Sequence, residues 1–141
     1  MMWFRFFTKP KIEIYTDGST KEGRGAWAFV IVHNGQWQRE CSGVVRKAAS
    51  NPMEFRAAIE AMRSLTERTT ATLYSDSRIL IDTMTVWKNT GTRPRGLELE
   101  TAELERLAKK HIITWKWIRA HAGHEFNERC DLLCIKARES I

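Results

Sequence analysis

The chain has 141 residues, 43% of them hydrophobic and 28% charged, with a formal net charge of +6. That length is enough for a compact domain with a core of its own, and the balance is that of a globular protein, not a disordered or fibrous one. No apolar run approaches the roughly 20 residues of a membrane span, and the opening "MMWFRFFTKP" has too short an apolar run for a signal peptide and no cleavage site behind it. Residues 1–10 therefore read as an aromatic arm and 11–141 as a single domain. Three cysteines, Cys41, Cys130 and Cys134, form no disulfide framework, which points to a reducing compartment such as the cytoplasm. The excess of cations favours a polyanionic partner.

In chain order, residues 11–16 ("KIEIYT") alternate with period two and predict a strand. Residues 18–25 hold three glycines and read as a loop. "AWAFVIVH" is a second strand. "HNGQ" is a hairpin turn, because Asn-Gly readily takes the positive φ angles of a type I′ turn. "WQRECSGVV" returns as a third strand. A helix follows, with Asn51 as N-cap, Pro52 at its first position and Glu54 at its third. Phe55, Ala58, Ile59, Met62 and Leu65 recur at helical spacing and form its buried face. "ATLYS" is a fourth strand that ends at Asp76, and residues 77–88 read as a second helix. "NTGTRPRG" is a loop, 97–111 a third helix, "IITWKWI" a fifth strand and 126–140 a last helix whose Cys130, Leu133, Cys134 and Ala137 face inward. The order β-β-β-α-β-α-α-β-α, with right-handed crossovers, makes strands one, four and five mutually parallel. The ends of strands one and four then lie side by side, and with them Asp17 and Asp76.

Aspartate is a poor strand residue, so Asp17 after "IYT" invites a search for partners. Four acids stand out: Asp17 in "YTDGS", Glu54 in "NPMEF", Asp76 in "YSDS" and Asp131 in "NERCD". Each also has a structural role open to it. Asp17 can serve a turn, Glu54 a capping box with Asn51, Asp76 a helix cap, and Asp131 a solvated helix face.

Together, "TDGS", "MEFRAA", "SDS" and above all "WKWIRAHAGHEFNERCD" resemble the type 1 ribonuclease H family from about residue 11 to residue 138. The resemblance implies the ribonuclease H-like α/β fold, a five-stranded mixed sheet of three antiparallel strands and then two parallel ones, flanked by helices. It implies an endonuclease that hydrolyses the RNA strand of RNA–DNA hybrids to 5′-phosphate and 3′-hydroxyl ends. Asp17, Glu54, Asp76 and Asp131 match the metal-binding carboxylates, and His121 matches the family's mobile catalytic histidine. Two Mg2+ ions are the implied cofactor, with Mn2+ as a substitute. Clustered carboxylates repel, and hard divalent cations relieve that repulsion while also binding phosphate oxygens.

For the substrate, Gly18, Ser19, Thr20, Ser50 and Asn51 are placed to read the 2′-hydroxyls of a hybrid minor groove, and Arg78, Trp87 and Lys88 to hold backbone phosphates, with Arg93 and Arg95 assisting. No membrane and no small organic cofactor are implied, and a stand-alone monomer is the simplest form. The chain departs from its relatives in a shorter glycine loop after Asp17, in Ser50-Asn51-Pro52 where many have Asn-Asn-Arg, in Arg78 where glutamine is frequent, and in a reduced basic protrusion. Rival readings are a binding module without turnover, the ribonuclease part of a reverse transcriptase, a transposase of the same fold, and a zinc protein using His121, His124, Cys130 and Cys134.

Overall fold

The computed structural model describes residues 9–141, so the aromatic arm, apart from Lys9 and Pro10, lies outside the described residues. Strands β1 (Ile12–Lys21), β2 (Arg24–His33) and β3 (Gln36–Val45) form a meander. Helix α1 (Ser50–Arg63), strand β4 (Thr70–Ser75), helices α2 (Arg78–Met84) and α3 (Glu98–Ala108), strand β5 (Ile112–Trp117) and helix α4 (Glu125–Glu139) follow. The sheet runs β3-β2-β1-β4-β5, with β1 antiparallel to β2 and parallel to β4, and β4 parallel to β5. This is the expected mixed sheet. Among the described residues no helix is long and apolar enough to cross a membrane.

Both faces of the sheet are covered. On one, Ile14, Phe29, Ile31 and Leu73 pack against Phe55, Ile59 and Met62 of α1 and Leu104 of α3. On the other, Ala26, Ala28, Val30 and Val32 lie under Cys130 and Cys134 of α4, with Tyr15 and Phe126 beside them. The inward face expected for the last helix is the one α4 buries. The β2–β3 turn has Asn34 and Gly35 at φ 51° and 79°, as a type I′ hairpin requires.

Three expectations about element limits are corrected. The glycine-bearing stretch 18–25 is not a loop. β1 continues to Lys21, which pairs with Arg24 across a two-residue turn with Glu22 and Gly23 at φ 54° and 78°. Asp17 therefore lies inside β1. What ends near it is the parallel pairing with β4, whose last partners are Tyr15 and Tyr74. Secondly, α1 begins at Ser50 with Ala49 before it and no side-chain cap, so Asn51 is not the N-cap. The Ser50 hydroxyl is hydrogen-bonded to that of Thr20 (2.8 Å) instead, and Pro52 sits in the first turn, where its missing N–H costs nothing. Finally, α2 stops at Met84. Thr83 and Thr85 donate their hydroxyls to the carbonyls of Ile79 and Ile81 (2.6 and 2.7 Å), and the Trp87 N–H returns to the Asp82 carbonyl. Threonines that bond back on the preceding turn, in a run that includes Val86, are poor material for extending a helix. Trp87 thus falls in a turn, and Lys88 opens a short 3-10 segment, Lys88–Thr90.

Candidate active site

Asp17, Glu54 and Asp76 converge. One carboxylate oxygen from each lies within 4.8 Å of the other two, on side chains drawn from β1, α1 and the end of β4. Asp17 is 6% and Glu54 9% exposed, and among the described residues neither has a basic partner, which is unusual for acids so buried.

Gly18 makes the convergence possible. A Cβ there would stand 2.2 Å from the Met53 carbonyl carbon and 2.4 Å from the Glu54 nitrogen, so the first turn of α1 rests directly on the β1 backbone. In that contact the Gly18 N–H donates to Glu54 Oε1 at 2.5 Å. The carboxylate points across the strand, not back along its own helix, which removes the capping-box role for Glu54. Asp76 is not a helix cap either, because Ser77 accepts from the Leu80 N–H (3.2 Å) and fills that place.

Asp76 is held from two sides that sequence reasoning missed. Asn127 of α4 donates to its Oδ2 (3.4 Å), and the Trp117 indole N–H donates to its backbone carbonyl (3.1 Å). The signal for Asn127 was present, since it stands one helical turn before Asp131 in "FNERCD" and so shares its side of α4. Beneath Asp17, the Cys134 thiol donates to the Asp17 carbonyl (3.5 Å) and the Cys130 thiol to that of Tyr15 (3.3 Å). Both thiols serve the packing of α4 on β1, which argues against the zinc reading.

The electrostatics follow from burial. The Asp17 carboxyl is pushed up to about 8, first by desolvation and then by the charges of Asp76 and Asp131. Glu54 is raised well above the usual carboxylate range by desolvation and by Asp17 and Asp76. Asp131 therefore contributes to the field at Asp17 from α4, although it stands outside the tight group of three. A site made only of carboxylate oxygens, too acidic to stay fully ionised alone, has the donor chemistry of a hard divalent cation site.

The other expected residues are dispersed around this centre. His121 is exposed on the loop between β5 and α4, at φ 53°. The Ser19 hydroxyl accepts a hydrogen bond from Arg138, and Thr20 is tied to Ser50. Gly18 is buried under α1, and Asn51 is exposed on that helix's first turn. The Arg78 guanidinium lies 4.2 Å from the centre of the Trp117 ring. Arg93 is ion-paired with Glu105 (2.8 Å), whereas Arg95 lies beside Ser50, Asn51 and Pro52.

The profile of the RNase H family matches residues 9–139. The chain belongs to the RNase H family. It is 36% identical to a ribonuclease H of Erythrobacter litoralis over 92% of this chain and 96% of that one. In structure it resembles the N-terminal RNase H domain of a Mycobacterium tuberculosis protein, with a TM-score of 0.79 at 20% identity, over 94% of this chain and 96% of that one. It also resembles LC11-RNase H1, solved in complex with an RNA/DNA hybrid, with a TM-score of 0.76 at 20% identity, over 92% and 98% of the two chains. At those identities the structural likenesses establish the fold. The family is generally dependent on divalent metal, which accords with the buried acidic cluster of this member.

Proposed function

We propose that this chain is an endonuclease that hydrolyses the RNA strand of RNA–DNA hybrids, with Asp17, Glu54, Asp76 and Asp131 as its metal-binding residues and Mg2+ as the cation. The observation that carries this reading is the gathering of three carboxylates from distant parts of the chain into one group with oxygens within 4.8 Å. Membership of the RNase H family supports the reaction, and the hybrid bound by LC11-RNase H1 supports the substrate.

Bound divalent cations would supply an activated water and stabilise charge on the phosphate and leaving oxygens. The protein's own part is to hold the carboxylates in place. Gly18 fixes Glu54 through its N–H, and Asn127 and Trp117 fix Asp76. His121, exposed on a loop whose Gly123 has φ 83°, would move a proton or assist product release. Arg78, Asn51, Thr20, Ser50, Trp87 and Lys88 contact the hybrid. The protein acts as a monomer in the cytoplasm.

The test is cleavage of an end-labelled RNA–DNA hybrid with Mg2+, beside duplex DNA, duplex RNA and single-stranded RNA, with an EDTA control. Metal-dependent cutting of the hybrid's RNA strand alone is expected, and Asp17→Asn or Asp76→Asn should abolish it while hybrid binding survives. Full activity in either variant would contradict the metal site. Binding without cutting in Mg2+ or Mn2+ would favour a binding module.

A further inference from the structure

The extension of β1 to Lys21 has an electrostatic result. Residues 17, 19 and 21 lie on one face of the strand, and the cross-strand partner of Lys21, Arg24, points to the same side. That face is covered by α4, as the contacts of Tyr15 with Phe126 and of Ser19 with Arg138 show. Lys21, Arg24 and Arg138 accordingly border one cleft of about 200 Å³, with Ile135 as its apolar wall and Glu22 and Glu139 at its edge. Like charges directly opposite each other in a hairpin are destabilising. Among the described residues, neither Lys21 nor Arg24 forms an ion pair, whereas Arg56, Arg63, Arg93, Arg106 and Arg129 all do. The half-buried Arg138 is aimed at the strand by its bond to the Ser19 hydroxyl.

We propose that Lys21, Arg24 and Arg138 form a phosphodiester-binding notch that grips the nucleic-acid backbone at a fixed distance from the metal site. This rests on the hybrid reading above. Four residues of strand separate Asp17 from Lys21, about 13 Å at ~3.3 Å per residue. A flexible glycine loop would not fix such a distance, but a two-residue hairpin does. The notch supplies, from the β1–β2 hairpin, cationic grip that the reduced protrusion does not.

The experiment measures hybrid affinity against salt concentration in EDTA, where no cleavage occurs. Each phosphate contact contributes about 0.9 to the slope of log K on log salt. Lys21→Ala with Arg24→Ala should lower that slope by about 0.9, so that between about 50 and 200 mM salt the wild type loses about threefold more affinity than the variant. Arg24→Gln alone, which leaves the hairpin intact, should move the slope the same way by a smaller step. Lys109→Ala with Lys110→Ala, at the opposite end of the sheet, should leave it unchanged. An unchanged slope in both hairpin variants would overturn the proposal, as would an equal fall in the distal variant. If the wild type cuts no hybrid in Mg2+, the functional reading fails; if it cuts but the slopes coincide, the notch alone fails.

Discussion

Replacing Asp17 with asparagine should stabilise the metal-free protein even as it abolishes cleavage. The folded state raises the Asp17 carboxyl from 3.8 to about 8, with desolvation the leading cause and Asp76 and Asp131 next. A folded pKa above the unfolded one means that the folded state holds a proton the unfolded chain has released. The contribution to stability is complete below about pH 4 and is lost as pH rises towards 8. At ~1.4 kcal/mol per unit, a change from about pH 5.5 to about pH 8.5 costs the wild type on the order of 3 kcal/mol through the Asp17 and Glu54 carboxyls together, both of which are raised. Asparagine cannot ionise, so the variant lacks the Asp17 part of this slope. Urea denaturation in EDTA at the two pH values reads both effects, with the variant ahead by a few kcal/mol at the higher pH. Divalent cation at about a hundred times its Kd adds ~2.7 kcal/mol to the wild type and less to the variant, which narrows or cancels the gap. Wild-type stability that stays flat across this window, or a variant no more stable than wild type in EDTA at the higher pH, would refute the account of a self-repelling, desolvated acidic centre.

Gly18→Ala should cost about 1–3 kcal/mol or more and reduce metal affinity, because its methyl group has only the Met53–Glu54 backbone to displace; denaturation and metal titration check it, and a neutral outcome would mean that α1 does not rest on β1 as described. Asn127→Ala should weaken metal binding by about tenfold or more, since it removes the amide that orients the Asp76 carboxylate, and, because Asn127 is buried, should cost about 1–3 kcal/mol of stability as well; calorimetric titration with Mg2+ or Mn2+ and urea denaturation measure the two. His121→Ala should slow turnover without eliminating it, as His121 is exposed on its loop and lies outside the carboxylate group; an unchanged single-turnover and steady-state rate would remove it from the mechanism.

Much of this molecule was legible in its sequence. Period-two runs, the Asn-Gly turn and the apolar spacing of α1 mark the strands and the buried faces, because local periodicity reports directly on which side of an element meets the core, while right-handed crossovers supply the parallel pairing. The acids were named on motifs that resemble the ribonuclease H family, since each alone had a structural role open to it, and the fold brings three of them together. Three matters were decided only by tertiary contact. β1 runs past Asp17 because β2 lies beside it to supply hydrogen bonds, and no local propensity of Gly-Ser-Thr announces that partner. Glu54 leaves its own helix end because Gly18 brings a free N–H within reach across 36 residues of chain. Asp17 acquires its elevated pKa from burial and from Asp76, at the end of β4, and Asp131, on α4, and the hairpin gains its row of cations from β2 and α4. Burial and charge act through space, so a sequence can name the residues of such a site, while their protonation and their partners belong to the fold.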